Sequence, residues 1–258
     1  MTNSIEYDRI ADIYDLYVQT LADVPFFLEQ ARESSGDVLE LMAGTGRVSL
    51  PLIEAGIPVT CVDNSQQMIA VLQHKLRDRG LTGSVEQADI RQLSLNKRFS
   101  LVIIPFNSFS EILSVEDQRC VLGRVRSHLA DDGRFICTVH NPVVRLKSVD
   151  SRLHLYHKTT SPDGRVLQLW IQESIDLAVN IVNGVEFFEE YDLHGVMQSR
   201  RLLEFRFRVM SKCDFENLAR FTGFKVVALY GDYTCTPYQE DRSPYMIWVL
   251  EKDSPNHF

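Results

Sequence analysis

The chain predicts an α/β fold: a seven-stranded, mostly parallel sheet with helices on both faces, plus an inserted antiparallel β-rich cap. Three observations predict it. Short apolar runs alternate with helical segments from residue 37 to residue 140, the pattern of a parallel sheet with crossover helices. The first three runs each close on an acid, Glu40, Asp63 and Asp89. After Pro142 the apolar spacing shortens to alternation, which is the mark of half-buried strands.

The elements follow in order. Residues 5–33 carry Ile10, Ile13, Tyr14, Tyr17, Val18 and Leu21 at helical spacing, and Pro25 divides the segment into two helices. Asp37 to Leu41 is a buried strand feeding the turn Gly44-Thr45-Gly46. Residues 47–55 form a helix that Gly56 ends. Val59 to Asp63 is the second strand; Ser65 caps a helix over 66–79, and Gly80 stops it. Ser84 to Ala88 and Leu101 to Ile104 are strands three and four. Residues 115–129 form a helix, Asp131-Asp132-Gly133 a turn, and Arg134 to His140 the fifth strand. From 151 to 209 Leu167, Leu169, Ile171 and Phe205, Phe207, Val209 alternate with polar residues. Asp163-Gly164 and Asn183-Gly184 signal hairpins there. Ser211 opens a helix to about Thr222, and Val226–Tyr230 and Tyr245–Leu250 complete the sheet. The polar tail 252–258 is expected to fray. Residues 1–142 thus form an α/β core, 143–210 a β-rich insertion, and 211–258 the completion of the core.

Composition narrows the function. The 258 residues carry 27 Lys and Arg against 35 Asp and Glu, a net charge of −8. That balance disfavours nucleic acid and anionic membrane surfaces as partners. Five cysteines without a CxxC pair fit free thiols in a reducing compartment rather than a zinc site or a disulfide framework. The N-terminus lacks a signal-peptide pattern, and no apolar run reaches about 18 residues. A soluble, cytoplasmic protein is expected.

The chemistry gathers at one sheet edge. In an open α/β sheet, ligands bind beyond the carboxyl ends of the strands, so Glu40, Asp63 and Asp89 would line one crevice. Gly44 and Gly46 let the backbone approach a ligand there. Asp63 could accept both hydroxyls of a ribose. A dinucleotide fingerprint would need a third glycine where Ser49 stands. Glu40 would also repel a pyrophosphate; it suits a cationic ligand.

Val38-Leu39-Glu40-Leu41-Met42-Ala43-Gly44-Thr45-Gly46-Arg47 resembles the first motif of the class I S-adenosylmethionine-dependent methyltransferases, whose sheet is Rossmann-like. Val62 to Met68 resembles their second motif, Ala88-Asp89-Ile90 the third, and Leu101 to Phe109 the fourth. The likeness covers roughly 5–140 and, more loosely, 211–251. Met42 departs from it, standing where the family usually has a glycine. The resemblance implies S-adenosyl-L-methionine as cofactor, with S-adenosyl-L-homocysteine as product. Ala43, Gly44, Thr45 and Gly46 would wrap its amino-acid part, together with Glu40. Asp63 would hold the ribose, Asn64 and Met68 would flank the adenine, and Asp89 and Ile90 would bind its edge. Pro105 to Phe109 would pass near the methyl group. YDRIADIYD resembles the N-terminal lid of small-molecule members, with Tyr14 over the cofactor. Core packing of Tyr7 and Tyr14, seven apart on one helical face, is the competing reading.

Methyl transfer asks mainly for alignment and exclusion of water. His140, closing strand five, is the candidate base. Asn107, Glu111 and Tyr233 are candidates for the acceptor, with Ser108 and Asp232 beside them. His154, His157 and His194 fall in the insertion, where exposure or packing is the expectation. Phe187, Phe188, Tyr191, Trp170 and Tyr156 could line an acceptor pocket under the insertion, or the insertion could form a homodimer contact. Asn141-Pro142 follows strand five, not strand four, and so does not match the tetrapeptide of nucleic-acid amino-methyltransferases. No metal cluster is evident. The expected activity is methyl transfer to nitrogen or oxygen of a small molecule. The rivals are a nicotinamide- or flavin-dependent oxidoreductase on a similar sheet, a non-catalytic S-adenosylmethionine-binding protein, and a protein methyltransferase.

Overall fold

A computed structural model describes residues 5–34, 36–161 and 164–253. The chain first lays down β1 (Val38–Leu41), β2 (Val59–Asp63), β3 (Ser84–Gln87), β4 (Phe99–Ile104) and β5 (Leu129–His140). An antiparallel sheet follows, made of β6 (Leu153–Thr160), β7 (Val166–Asp176), β8 (Ile181–Tyr191) and β9 (Met197–Arg208). The chain then returns with β10 (Phe224–Tyr230) and β11 (Tyr245–Lys252), giving a seven-stranded sheet in the order β10-β11-β5-β4-β1-β2-β3. β11 runs antiparallel to both its neighbours; β1 to β5 pair in parallel.

Side chains alternate across each strand, so the large sheet feeds two cores. On one face Leu39, Leu41 and Val102 meet α5 (Val115–His128) and α7 (Lys212–Phe221) through Val121, Leu122, Val125, Phe215 and Leu218. On the other, Val38, Leu101 and Ile103 meet α2 (Val24–Ser34), α3 (Ser49–Glu54) and α4 (Gln66–Asp78) through Phe27, Leu52, Leu72 and Leu76. Each such apolar side chain contributes about 1.5–3 kcal/mol on burial. Ser65 caps α4 by accepting from the Met68 N–H, and Ser211 and Asp214 close a capping box on α7.

The structure corrects three expectations. The segment before Pro25 is not a continuous helix. It is a 3-10 turn at Tyr7–Arg9 and a single-turn α1 (Tyr14–Tyr17), and Pro25 stands in the first turn of α2. Its acids are drawn into contacts with other elements, which override helical spacing. Asp131-Asp132-Gly133 does not precede the fifth strand but lies inside it, at an irregularity in the pairing with β4. Asn183-Gly184 is not a hairpin turn either; it sits mid-strand in β8. A Cβ on Gly184 would meet the Phe205 ring at 2.1 Å, so the glycine makes room for an aromatic on β9. The turns lie elsewhere, with Asn180 (φ 55°) before β8 and Gly195 (φ 75°) before β9. Asp163 of the Asp163-Gly164 signal, residues 1–4 and tail residues 254–258 lie outside the described residues.

The antiparallel sheet stands over the carboxyl ends of the large sheet. Its inner face buries Leu167, Leu169, Phe188 and Leu203 together with Ile10 and Ile13 of the N-terminal segment. That segment is thereby sandwiched between the two sheets. Among the described residues no helix is long and apolar enough to cross a membrane.

Candidate functional site

The loop after β1 turns sharply because Met42, Gly44 and Gly46 all take positive φ, at 59°, 55° and 84°. Met42 pays a strain that a glycine would not. At Gly46 a Cβ would also strike Leu72 Cδ1 at 2.3 Å. Asp63, at the end of β2, fastens this loop. Its Oδ2 accepts from the Gly44 N–H at 2.7 Å and its Oδ1 from the Ser65 N–H at 2.9 Å. Burial raises its carboxyl, against the lowering effect of those two donors.

Beyond the strand ends lies a cavity of about 1600 Å³, more than the ~300–1,000 Å³ usual for one small ligand. One half is walled by Gly44, Asp63, Asn64, Met68, Asp89 and Ile90. Arg91 grips Asp89 and holds its carboxyl below the usual carboxylate range. The other half is walled by Asn107, Glu111 and His140 from the large sheet and by Ile171, Glu186 and Leu203 from the antiparallel sheet. Tyr7, Tyr14 and Tyr17 line the cavity as well.

After β4 the backbone is strained again, with Phe106 and Asn107 at φ 57° and 63°. The Arg47 guanidinium, clamped by Asp23, lies 4.5 Å from the Phe106 ring centroid. Asn107 Oδ1 is buried without a hydrogen-bond partner. Glu111 accepts from the Tyr7 hydroxyl at 3.0 Å, and burial pushes its carboxyl up to about 8. Burial likewise pushes Glu186 up to about 8, with the nearby Glu173 carboxylate adding to it. His140 lies 5.0 Å from the Phe207 ring, and burial with the Arg145 charge lowers it to about 3, so its imidazole is neutral.

Six expected residues do not line the cavity. Glu40 is 2% exposed and takes a hydrogen bond from the Ser49 hydroxyl; burial pushes it up to about 7. It braces the loop from below rather than facing a ligand. Ala43 and Gly46 are turned into the core by the loop's tight geometry. Thr45 donates its hydroxyl to Asp15 at 2.7 Å. Pro105 is buried. Tyr233 packs against Phe26, Phe27 and Tyr245, at 5.9, 6.2 and 5.3 Å between centroids. Asp232 holds its own turn, accepting from Thr234. Within the insertion, Tyr156 lines the cavity, whereas Trp170 and Tyr191 bind Glu189 and Phe187 lies under Arg200. Phe188 packs on Tyr17. His154 and His157 do line the cavity, contrary to expectation.

Sequence reading missed how the N-terminal segment is held. Asp8 accepts from the Ser65 hydroxyl at 2.5 Å and the Gln67 N–H at 3.0 Å. Arg201 donates to Asp12 at 2.5 Å, and Asp15 pairs with Lys75. The acids of YDRIADIYD were the available signal. Glu186 was missed too. It occupies the parity of Val182 and Phe188, the buried face of β8, and an acid on that parity is the signal.

Residues 38–133 match the family described as methyltransferase domain. Over 98% of its length the chain is 27% identical to all of the cypemycin N-terminal methyltransferase of a Streptomyces species. It is 28% identical to the glycine/sarcosine N-methyltransferase of Aphanothece halophytica, over 94% of this chain and 86% of that protein. In fold it is similar to the CcbJ methyltransferase of Streptomyces caelestis, with a TM-score of 0.83, 21% identity, and coverage of 98% of this chain and 100% of that one.

Proposed function

Because this chain belongs to the class I S-adenosylmethionine-dependent methyltransferases, we propose that it methylates an amine nitrogen of a small molecule. The observation that carries the proposal is one continuous cavity. It joins a half framed by the strand-end acids to a half walled by the antiparallel sheet, large enough for donor and acceptor together.

The first half fits S-adenosylmethionine. Each Asp63 oxygen spends one lone pair on a backbone N–H and keeps another for a ribose hydroxyl. Asp63 and Asp89 face this half of the cavity, a setting that favours a cationic cofactor and opposes the pyrophosphate of a dinucleotide. Asn64 and Met68 would flank the adenine, Asp89 and Ile90 would meet its edge, and Tyr14 would cover the site. Gly44 would approach the amino-acid part; Ala43, Thr45, Gly46 and Glu40 would act through the loop they hold. When bound, the cofactor supplies an electrophilic methyl group.

The chain's own residues do the rest. An amine reaches the site as its ammonium and must lose one proton to become nucleophilic. The Glu111 carboxylate, steadied by Tyr7, takes that proton; its raised proton affinity suits the task. His140, neutral and weakly basic, orients the acceptor with Asn107 rather than acting as the base. The lid and the antiparallel sheet keep water out. Nitrogen is favoured over oxygen because the Aphanothece halophytica relative is named as a glycine/sarcosine N-methyltransferase and because two acids surround the acceptor space. Five free cysteines suit a reducing compartment, and we assign the protein to the cytoplasm.

The test is release of S-adenosylhomocysteine from S-adenosylmethionine with paired acceptors: glycine against glycolate, and an amino sugar against the parent sugar. Turnover of amine members alone is expected. Turnover of hydroxyl members alone would move the reaction to oxygen.

A further inference from the structure

We propose that Tyr7, Tyr14, Tyr17, Glu111 and Glu186 form an ammonium-binding box, which takes the acceptor amine as a cation and still holds it after methylation. This rests on the methyltransferase reading above and narrows its acceptor to an aliphatic amine.

The box is assembled from three places in the chain. The three tyrosines come from the N-terminal segment, Glu111 from the turn after β4, and Glu186 from β8. The rings are in edge contact, Tyr7 to Tyr14 at 6.1 Å and Tyr14 to Tyr17 at 5.3 Å between centroids. Tyr17 rests on Phe188, two residues along β8 from Glu186, at 5.0 Å. The Tyr7 hydroxyl reaches Glu111 at 3.0 Å, which ties the rings to the first acid.

Glu186 is the second acid, and its setting suits a cation. Its strand neighbours in register are Ile171 and Leu203, both apolar. Glu173, the other acid of this wall, is already paired with Arg145. Glu186 has no hydrogen-bond or ion-pair partner that the structure shows among the described residues, and it faces the cavity. Glu186 is partly buried among these apolar neighbours and opens on the cavity, so a cation placed there would draw it into its ionised form and pair with it. Tyrosine rings attract a cation through their faces and also accept methyl groups. Among the described residues no group of three potential metal-ligating side chains occurs, so an organic cation fits the box better than a metal ion.

The two acids divide the work. Glu111 takes one proton from R–NH3+, leaving R–NH2 and a neutral carboxyl. The nitrogen lone pair forms the new N–CH3 bond as the carbon–sulfur bond of the donor breaks. The product R–NH2CH3+ then faces Glu186, whose ionised form the cation favours, and Glu111 returns its proton to water. The methylated product therefore remains bound as a cation and can give up a further proton for a second transfer on the same nitrogen.

The test uses the protein saturated with S-adenosylhomocysteine and titrated calorimetrically with choline and with its neutral isostere 3,3-dimethylbutan-1-ol. The wild type should bind choline at least about tenfold more tightly than the isostere. Glu186→Gln should abolish that preference while leaving S-adenosylhomocysteine affinity within about twofold. Tyr17→Leu, which keeps both acids, should weaken choline more than the isostere. Equal binding of the two probes, or a preference that survives both substitutions, would overturn the box. Failure of the wild type to bind S-adenosylhomocysteine would instead overturn the methyltransferase reading beneath it.

Discussion

Glu111 and Glu40 are both carboxylates raised by burial, yet they predict different things. Glu111 faces the cavity with only Tyr7 as partner. Glu111→Gln should lower turnover by roughly 10²–10⁴-fold while cofactor affinity holds. Wild-type turnover should climb as pH rises through about 8, where this group ionises and becomes able to accept a proton. Tyr7→Phe removes the hydrogen bond that favours the ionised form, so the climb should move to higher pH. A flat pH profile would contradict the assignment. Glu40 is buried behind the loop, with its carboxyl at about 7 against an ordinary 4.5. Its folded-state proton affinity exceeds the unfolded one, so its stabilising effect is full below about 4.5 and is lost as pH rises through about 7. Thermal denaturation from pH 5 to pH 8 should therefore cost the wild type roughly 3 kcal/mol more than Glu40→Gln. Parallel stability curves would show that Glu40 does not titrate in this range. At this scale the sequence was informative about strand-end residues such as Asp63 and Asp89. It was misleading about Glu40 and Thr45, because spacing locates a residue on an edge without telling which way its side chain turns.

Among the elements, the N-terminal segment departs furthest from its spacing. Its apolar residues suggested a helix, but Asp8, Asp12 and Asp15 are bound to α4, β9 and the loop after β1. Those bonds hold short turns against two sheets. Asp15→Ala should free Thr45 and Lys75 and loosen the segment. Amide hydrogen exchange over residues 7–17 should then speed up several-fold, from the loss of roughly 1 kcal/mol of charge-assisted bonding at a partly exposed carboxylate. Unchanged exchange would mean that the apolar contacts of Ile10 and Ile13 alone hold it. The core strands and capped helices were legible because apolar runs, Ser65, Gly80 and Ser211 are local signals. Asn183-Gly184 was not, since its glycine answers to Phe205 on another strand, a contact no local pattern carries.

The whole molecule works by bringing chain-distant groups to one enclosure. Tyr7 meets Glu111 across 104 residues, and Arg208 of β9 donates to the Leu113 carbonyl across 95. The half of the cavity proposed for the cofactor comes from successive strand ends, and for that reason its lining could be anticipated from motifs. The half proposed for the acceptor draws on the inner face of the antiparallel sheet, whose register and parity decide that Glu186 points inward while Trp170 does not. The central claim is that the acid-framed half binds S-adenosylmethionine through Asp63. The most direct measurement is calorimetric titration of the wild type and Asp63→Ala with S-adenosylhomocysteine, alongside NADH. Micromolar binding of S-adenosylhomocysteine, weakened about tenfold or more by the substitution, with no heat from NADH, is the predicted result. Binding of NADH, or an affinity for S-adenosylhomocysteine indifferent to Asp63, would contradict the account.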